Sequence, residues 1–542
     1  MSELLVSVIL PWLITFFLGL TIIISLTFLP QLIIAAAKLP RLVLLSLIVS
    51  LAAGFFLRYH YVPNFHRIFY DEDRYLSFAV SFARFGKATS IDMATQEKLL
   101  LGDPDKAVRL TVPVINAWVM KAFGYRELPL HQLAKAVSSF QIIIIFIFAA
   151  IYLRSYWIAL FAAAGMAFLP NIIYWSSSTA LDSYFVFFAL FSSLSVCLFA
   201  KEQNIRSGIL MLCTVFLLLC VRLEAFVFLP VLGFFYYFQR KANQSLAKIA
   251  SVEIAFAGLA LLLIGLRAFA SLSVLGQKWC CAEALPLEAF YPNYFIRNLL
   301  PNIFNLFNRP EFPFIITIFS FIAIFQFQDK KILPLIIWSI TFFFLYSLYY
   351  AGMFFSFEFS GSYGRYFLIQ NPPLLLLAGI TIDQLITQYQ KNPAKKTGLI
   401  LAVTAGIISF SPWFNSYKQM ISASPYYKTV EESPHTLHRF TNEYLIANTP
   451  KNSIIIENLT ANVFMSGRSV VASFRIINEK SVADFVVRAL KEKKPVFSVP
   501  LGFCFLYPDQ CRHISDRVRF EPVKMKKPHP LGLTFFQLKL KK

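Results

Sequence analysis

Residues 181–200 read LDSYFVFFALFSSLSVCLFA, a run whose only charged side chain is Asp182 near its start. At about 1.5 Å of rise per residue, a helix of this length reaches roughly 30 Å, the thickness of a bilayer's hydrocarbon core. The run therefore reads as a membrane span. Working outward, comparable apolar segments occupy 5–28, 42–58, 134–153, 156–174, 207–221, 225–239, 246–271, 313–327, 332–352, 366–387 and 397–414. The expected fold class is a polytopic α-helical membrane protein with about 12 transmembrane helices, and a chain that is 57% hydrophobic with a mean hydropathy of +0.61 requires the bilayer as its main solvent. Stretch 207–239 is divided in two because a single helix would run roughly 50 Å, and because Arg222 and Glu224 lie in its middle.

Basic residues cluster in alternate connections, at Lys38/Arg41, Arg154, Lys201/Arg206, Arg240/Lys241/Lys248, Lys330/Lys331 and Lys391/Lys395/Lys396. The positive-inside rule puts these in the cytoplasm. Residues 59–133, 175–180, 222–224, 272–312, 353–365 and everything after 415 then lie on the opposite face. In the first of these loops, Arg74–Phe85 and Leu110–Phe123 have near-helical apolar spacing and read as interfacial helices. The first 28 residues carry Glu3 and no basic n-region, which suits a membrane helix better than a signal peptide. A net charge of +21 without a basic stripe of interleaved aromatics excludes nucleic acid and points to anionic membrane lipid as a partner. The 59 phenylalanines are lipid-facing and packing residues.

After Trp413 the composition becomes ordinary, dividing a transmembrane domain, 1–415, from a C-terminal domain, 416–542. Strand-like runs at Ser453–Glu457, Val470–Phe474, Pro495–Val499 and Leu533–Leu540, with helical stretches near 431–447 and 479–493, predict a small α/β extracytoplasmic domain. Cys504 and Cys511 would pair there in an oxidising compartment. Cys197, Cys213 and Cys220 lie in apolar helices, while Cys280 and Cys281 fall in a polar loop. Asp103-Pro104-Asp105 reads as a turn.

Three polar elements sit where the chain leaves the bilayer. Tyr70-Asp71-Glu72-Asp73-Arg74-Tyr75 is either a solvated acidic loop neutralised by Arg67 and Arg74, or a general base with or without metal ligands. Asp182, after Ser176-Ser177-Ser178-Thr179-Ala180-Leu181, is either a helix cap or an acid that faces a polar cavity or pairs with an arginine. Arg365, in Ser362-Tyr363-Gly364-Arg365-Tyr366 ahead of Asn371-Pro372-Pro373, is either an interfacial anchor or a phosphate ligand.

Taken in order, these residues resemble the GT-C superfamily of membrane glycosyltransferases, in its aminoarabinose transferase and protein mannosyltransferase-like branch. Asp71-Glu72-Asp73-Arg74-Tyr75 followed by Ala79 matches that branch's D-E-x-R-Y pattern. Pro113 with Phe123-Gly124, Pro170 through Asp182, the turn at Arg222, and Arg365-Tyr366 with its proline pair follow in the family's order over most of 42–390. Where the branch often has Lys-Pro-Pro, this chain reads Arg109-Leu110-Thr111-Val112-Pro113, and it has no Trp-Trp-Asp triplet, which argues against an oligosaccharyltransferase.

The resemblance implies inverting transfer of a sugar from a polyprenyl-phosphate donor to a lipid, glycan or protein acceptor, lipid A among them. The setting it implies is a bacterial inner membrane with the site facing the periplasm. Asp71 would be the base, with Glu72 or Asp182 as substitutes. Arg365, Arg222 and Arg109 would contact phosphate, Tyr75 would shape the sugar pocket, and Asp73, Arg74, Glu224, Tyr363 and Tyr366 would join the substrate-binding set. No cofactor is required, although Asp71, Glu72 and Asp73 leave room for a divalent metal. The competing class is a lipid-linked glycan transporter or flippase, which should show repeat symmetry between its halves; none is evident. An O-antigen polymerase or ligase is a nearer enzyme alternative that would lack the acidic first loop in this form.

Overall fold

The computed structural model describes residues 2–62, 64, 69–95, 99–104, 108–241, 251–275, 292–307, 313–325, 330–348, 364–391, 445–457, 460–498, 514, 516–524 and 536–541. The helices of the first half are α1 (Leu10–Ala37), α2 (Arg41–Phe56), α3 (Phe69–Phe85), α4 (Thr111–Phe123), α5 (Glu127–Tyr152), α6 (Tyr156–Phe168), α7 (Pro170–Trp175), α8 (Leu181–Glu202) and α9 (Ile205–Leu219). There follow α10 (Ala225–Lys241), α11 (Ser251–Leu275), α12 (Pro292–Phe307), α13 (Phe314–Phe325), α14 (Leu333–Leu348) and α15 (Asn371–Lys391). The strands β1 (Thr89–Ala94) and β2 (Leu99–Pro104) form a hairpin inside the first loop.

Among the described residues, six helical segments are long and apolar enough to cross a membrane: Leu5–Ala37, Arg41–Tyr61, Glu127–Tyr152, Leu181–Glu202, Ser251–Leu272 and Lys330–Leu348. Four shorter apolar helices accompany them. The chain is an integral membrane protein of mostly helical build. The two interfacial stretches expected in the first loop are helices α3 and α4. The 207–239 stretch divides as expected, into α9 and α10 around a turn at Arg222–Glu224. The proposed span 397–414 and the helical stretch 431–444 lie outside the described residues, as do Cys280, Cys281, Cys504 and Cys511. Cys197, Cys213 and Cys220 are buried free thiols.

The expected span 156–174 is two helices, not one. Pro170 has no N–H and disfavours the α conformation in the residue before it, and Leu169 accordingly sits at φ −62°, ψ 124°. The carbonyls released at the break need donors in an apolar medium. Arg58, fully buried, supplies them, with Nη2 2.8 Å from Met166 O and Nη1 3.2 Å from Ala167 O, while its Nε donates to Ser138 Oγ at 3.0 Å. This break turns the chain across the membrane mouth, so that 176–180 approaches α3.

Apolar attraction between helices is weak in lipid, and close packing at small residues takes its place. Where α6 meets α15, a Cβ on Gly165 would overlap Leu375 Cδ2 and approach Cδ1 to 2.9 Å. Trp338, fully buried on α14, packs edge-on against Phe228 of α10 with ring centroids 4.7 Å apart.

The C-terminal residues form β3 (Ile454–Ile456), α16 (Thr460–Met465), β4 (Ser469–Val471), α17 (Ser473–Asn478), α18 (Lys480–Lys491), β5 (Val496–Ser498), β6 (Val518–Pro522) and β7 (Phe536–Leu540). They join the first-loop hairpin in one seven-stranded sheet ordered β2-β1-β4-β3-β5-β7-β6, with β3 parallel to β4 and β5. The seam is Met93 opposite Val471 and Ala94 opposite Val470. Beside it Arg475 Nε donates to Asp92 Oδ2 at 2.9 Å. Asp103 and Pro104 close β2 instead of forming a free turn.

Candidate active site

Helix α3 starts at Phe69, so Asp71 and Glu72 occupy its first turn, where the helix dipole favours negative charge, and Asp73 follows directly after it. Successive side chains leave a helix about 100° apart, and the three carboxylates accordingly go to three partners. Glu72, fully buried, accepts from Ser178 Oγ and from Thr179 N at 2.9 Å. Asp73, also buried, accepts from Asn462 N at 3.1 Å and so ties α3 to α16. Asp71, with 41% of its side chain exposed, meets Arg365 Nη2 at 2.7 Å. A solvated acidic loop is therefore not what the chain forms. Nor do the three acids converge on a single ion, and among the described residues no group of three His, Cys, Asp or Glu could hold a metal.

Arg365 lies in a 3-10 turn, Gly364–Gln370, that leads into α15. Its Nε is 3.8 Å from Asp182 Oδ2. Asp182 is the second residue of α8, and the capping position is Ala180, so its carboxylate does not cap the helix. It is instead paired with Arg222 Nη1. Arg222 also donates to Glu224, with Nη2 to Oε1 at 2.6 Å and Nε to Oε2 at 3.3 Å. Glu224, Arg222, Asp182, Arg365 and Asp71 thus form a row of alternating charge drawn from α3, α8, the α9–α10 turn and the 3-10 turn ahead of α15.

Aromatic rings fix the two guanidiniums side by side. The Tyr366 ring lies 5.0 Å from the Arg222 guanidinium carbon and 4.9 Å from that of Arg365, and Tyr346 of α14 packs on Tyr366 with centroids 5.2 Å apart. Such contacts suit cations, which the face of a ring attracts. Arg109, just before α4, sits over the Tyr75 ring at 5.3 Å, and Arg74 lies 5.9 Å from the Phe78 ring.

Burial pushes the Asp71 carboxyl up, but Arg365 first and Arg109 and Arg74 after it outweigh that and hold it below its ordinary value. Glu224 in its turn is likewise raised by burial and brought below its ordinary value by Arg222, with a smaller contribution from Arg109. Arg109 thus acts on both ends of the charge row. Three carboxylates and two guanidiniums leave the row one unit negative, and Arg109 balances it.

The sequence candidates Asp71, Asp182, Arg222, Glu224, Arg365 and Tyr366 come together here, with Arg109 and Tyr75 beside them. Tyr363 lies outside the described residues. Tyr346 was not foreseen, since a tyrosine inside an apolar span carries no local signal. The roles of Ser178 and Thr179 as partners of Glu72 were also missed, although both lie in the serine-rich run before Asp182.

No family model matches the chain, and no curated protein does. Among solved structures it is similar to ArnT from Cupriavidus metallidurans in the apo state, at a TM-score of 0.54 and 12% identity over 92% of this chain and 97% of that one. It is similar to the same protein bound to undecaprenyl phosphate, at a TM-score of 0.54 and 11% identity over 91% and 97% of the two chains. The chain has the ArnT fold. The fold agrees with the one that the order of the motifs implied.

Proposed function

We propose that the chain is a glycosyltransferase that moves a sugar, with inversion, from a polyprenyl-phosphate donor to an acceptor hydroxyl at the outer face of the membrane. The observation that carries this reading is the half-exposed Asp71 paired with Arg365 at the mouth of an ArnT fold. ArnT itself has been solved with undecaprenyl phosphate, which supports a lipid of that class as the donor's carrier here. The alternating basic connections support a site and C-terminal domain on the non-cytoplasmic side.

In the proposed step the acceptor oxygen bonds to the sugar's anomeric carbon as the bond from that carbon to the phosphate oxygen breaks. The acceptor proton passes to Asp71, and polyprenyl phosphate departs with the bonding electrons. Arg365 stabilises the charge that develops on the leaving group. Arg222 gives its Nε and Nη2 to Glu224 and its Nη1 to Asp182, so its main part is to add positive field and to hold Asp182 in place. Glu72 and Asp73 have structural partners, which leaves Asp71 as the base. Asp71→Asn keeps the shape and removes the base. Turnover of a polyprenyl-phosphate sugar by the variant should fall on the order of 10² to 10⁴-fold while the protein stays folded. Normal turnover by that variant would remove Asp71 from the mechanism.

A further inference from the structure

An arginine can offer its Nε and Nη2 hydrogens side by side, the pair that matches two oxygens of a phosphate. In Arg365 this edge is half occupied. Nε has no hydrogen-bond acceptor, and Nη2 donates to Asp71 Oδ2 at 2.7 Å and to Tyr366 Oη at 3.1 Å. The guanidinium is buried, while 41% of the Asp71 side chain is exposed, so the carboxylate is the outer member of the pair. A phosphate that takes both hydrogens of this edge competes at Nη2 with Asp71 and Tyr366, of which only Asp71 is an anion, and comes to lie beside Asp182, whose Oδ2 is 3.8 Å from Nε. Arg222 offers no such edge, because Glu224 fills its Nε and Nη2.

We propose that the donor phosphate and Asp71 compete for the same edge of Arg365, so that donor binding expels the carboxylate and thereby releases it to act as the base. The inference rests on the polyprenyl-phosphate reading above and adds an order of events to it. Before the donor arrives, Asp71 is held by a cation and is a poor proton acceptor. With the phosphate on Arg365, the same carboxylate has lost that partner and gained an anionic neighbour, and both changes raise its basicity. The acceptor would then be deprotonated only when a donor is in place. Arg109 and Arg74 stay near Asp71 in either state and limit the change.

The test is a binding cycle that needs no turnover. Undecaprenyl phosphate is titrated into the detergent-solubilised wild type, Asp71→Asn, Arg365→Ala and the double variant, each checked for a single folded species. Removing a competitor should tighten binding by Asp71→Asn about two- to tenfold, as expected for a partly exposed ion pair. In the Arg365→Ala background the same change should have no effect. Asp71→Asn affinity equal to or weaker than wild type would overturn the exchange. So would tightening of equal size without Arg365, which would show only the removal of a negative charge. If wild type does not bind undecaprenyl phosphate at all, the donor reading itself fails, an outcome distinct from binding that ignores Asp71. Should Asp71→Asn not fold, Asp71→Ser removes the same charge.

Discussion

At the scale of single residues, the ion pair between Asp71 and Arg365 makes the pH profile informative. In the free protein burial raises the Asp71 carboxyl and Arg365 more than reverses this, so Asp71 stays ionised to below the ordinary carboxylate range. A group with a lowered folded value stabilises the protein fully above its unfolded value of about 3.9 and loses that contribution as pH falls through the folded one. The acid limb of kcat/KM reports the free protein and that of kcat the donor complex. If phosphate takes Arg365, the kcat limb should lie at higher pH than the kcat/KM limb. Coincident limbs would mean that Asp71 keeps its partner throughout. The sequence named Asp71, Asp182, Arg222 and Arg365 correctly as neighbours, through the order of its motifs. It could not say which of three adjacent acids was open, because that depends on where α3 begins and on Ser178, Thr179 and Asn462, which are distant in the chain.

Among elements, the contact of α6 with α15 sets where the 3-10 turn bearing Arg365 is held. Gly165→Ala would drive a methyl into Leu375, while Gly19→Ala meets nothing within 4 Å on α1. The first should cost about 1–3 kcal/mol of stability, and the second should be neutral or mildly stabilising because alanine is the better helix former. Thermal unfolding in detergent compares them, and equal transitions for both variants would remove the tight-packing account. Most of the helices were legible because long apolar runs leave few alternatives. Helix α12 was not, since Pro301 and several asparagines interrupt its pattern. Two of those, Asn298 and Asn302, are buried and donate to Ser347 O at 3.0 Å and Ser347 Oγ at 2.9 Å. The break at Pro170 was hidden for the opposite reason, as the apolar run continues through it.

For the whole molecule, the sheet joins the ends of the chain in a way no local pattern discloses. Of the C-terminal strands β3, β4, β5 and β7 could be read from their apolar runs and β6 could not, and β1 pairs with β4 across more than three hundred and seventy residues of sequence, from Met93 to Val471. Asp73 on Asn462 then connects the C-terminal elements to α3, the helix that carries Asp71, and Asp92 on Arg475 connects them to β1. The C-terminal elements are thus anchored on the helix that carries the proposed base. The donor is the most direct point of attack on this account. Mass spectrometry of lipid extracted from the purified protein should find a polyprenyl monophosphate bearing a sugar. That lipid should be enriched in Asp71→Asn, which binds it but turns it over slowly, and depleted in Arg365→Ala. Extraction of ordinary phospholipid alone from all three proteins would contradict the account.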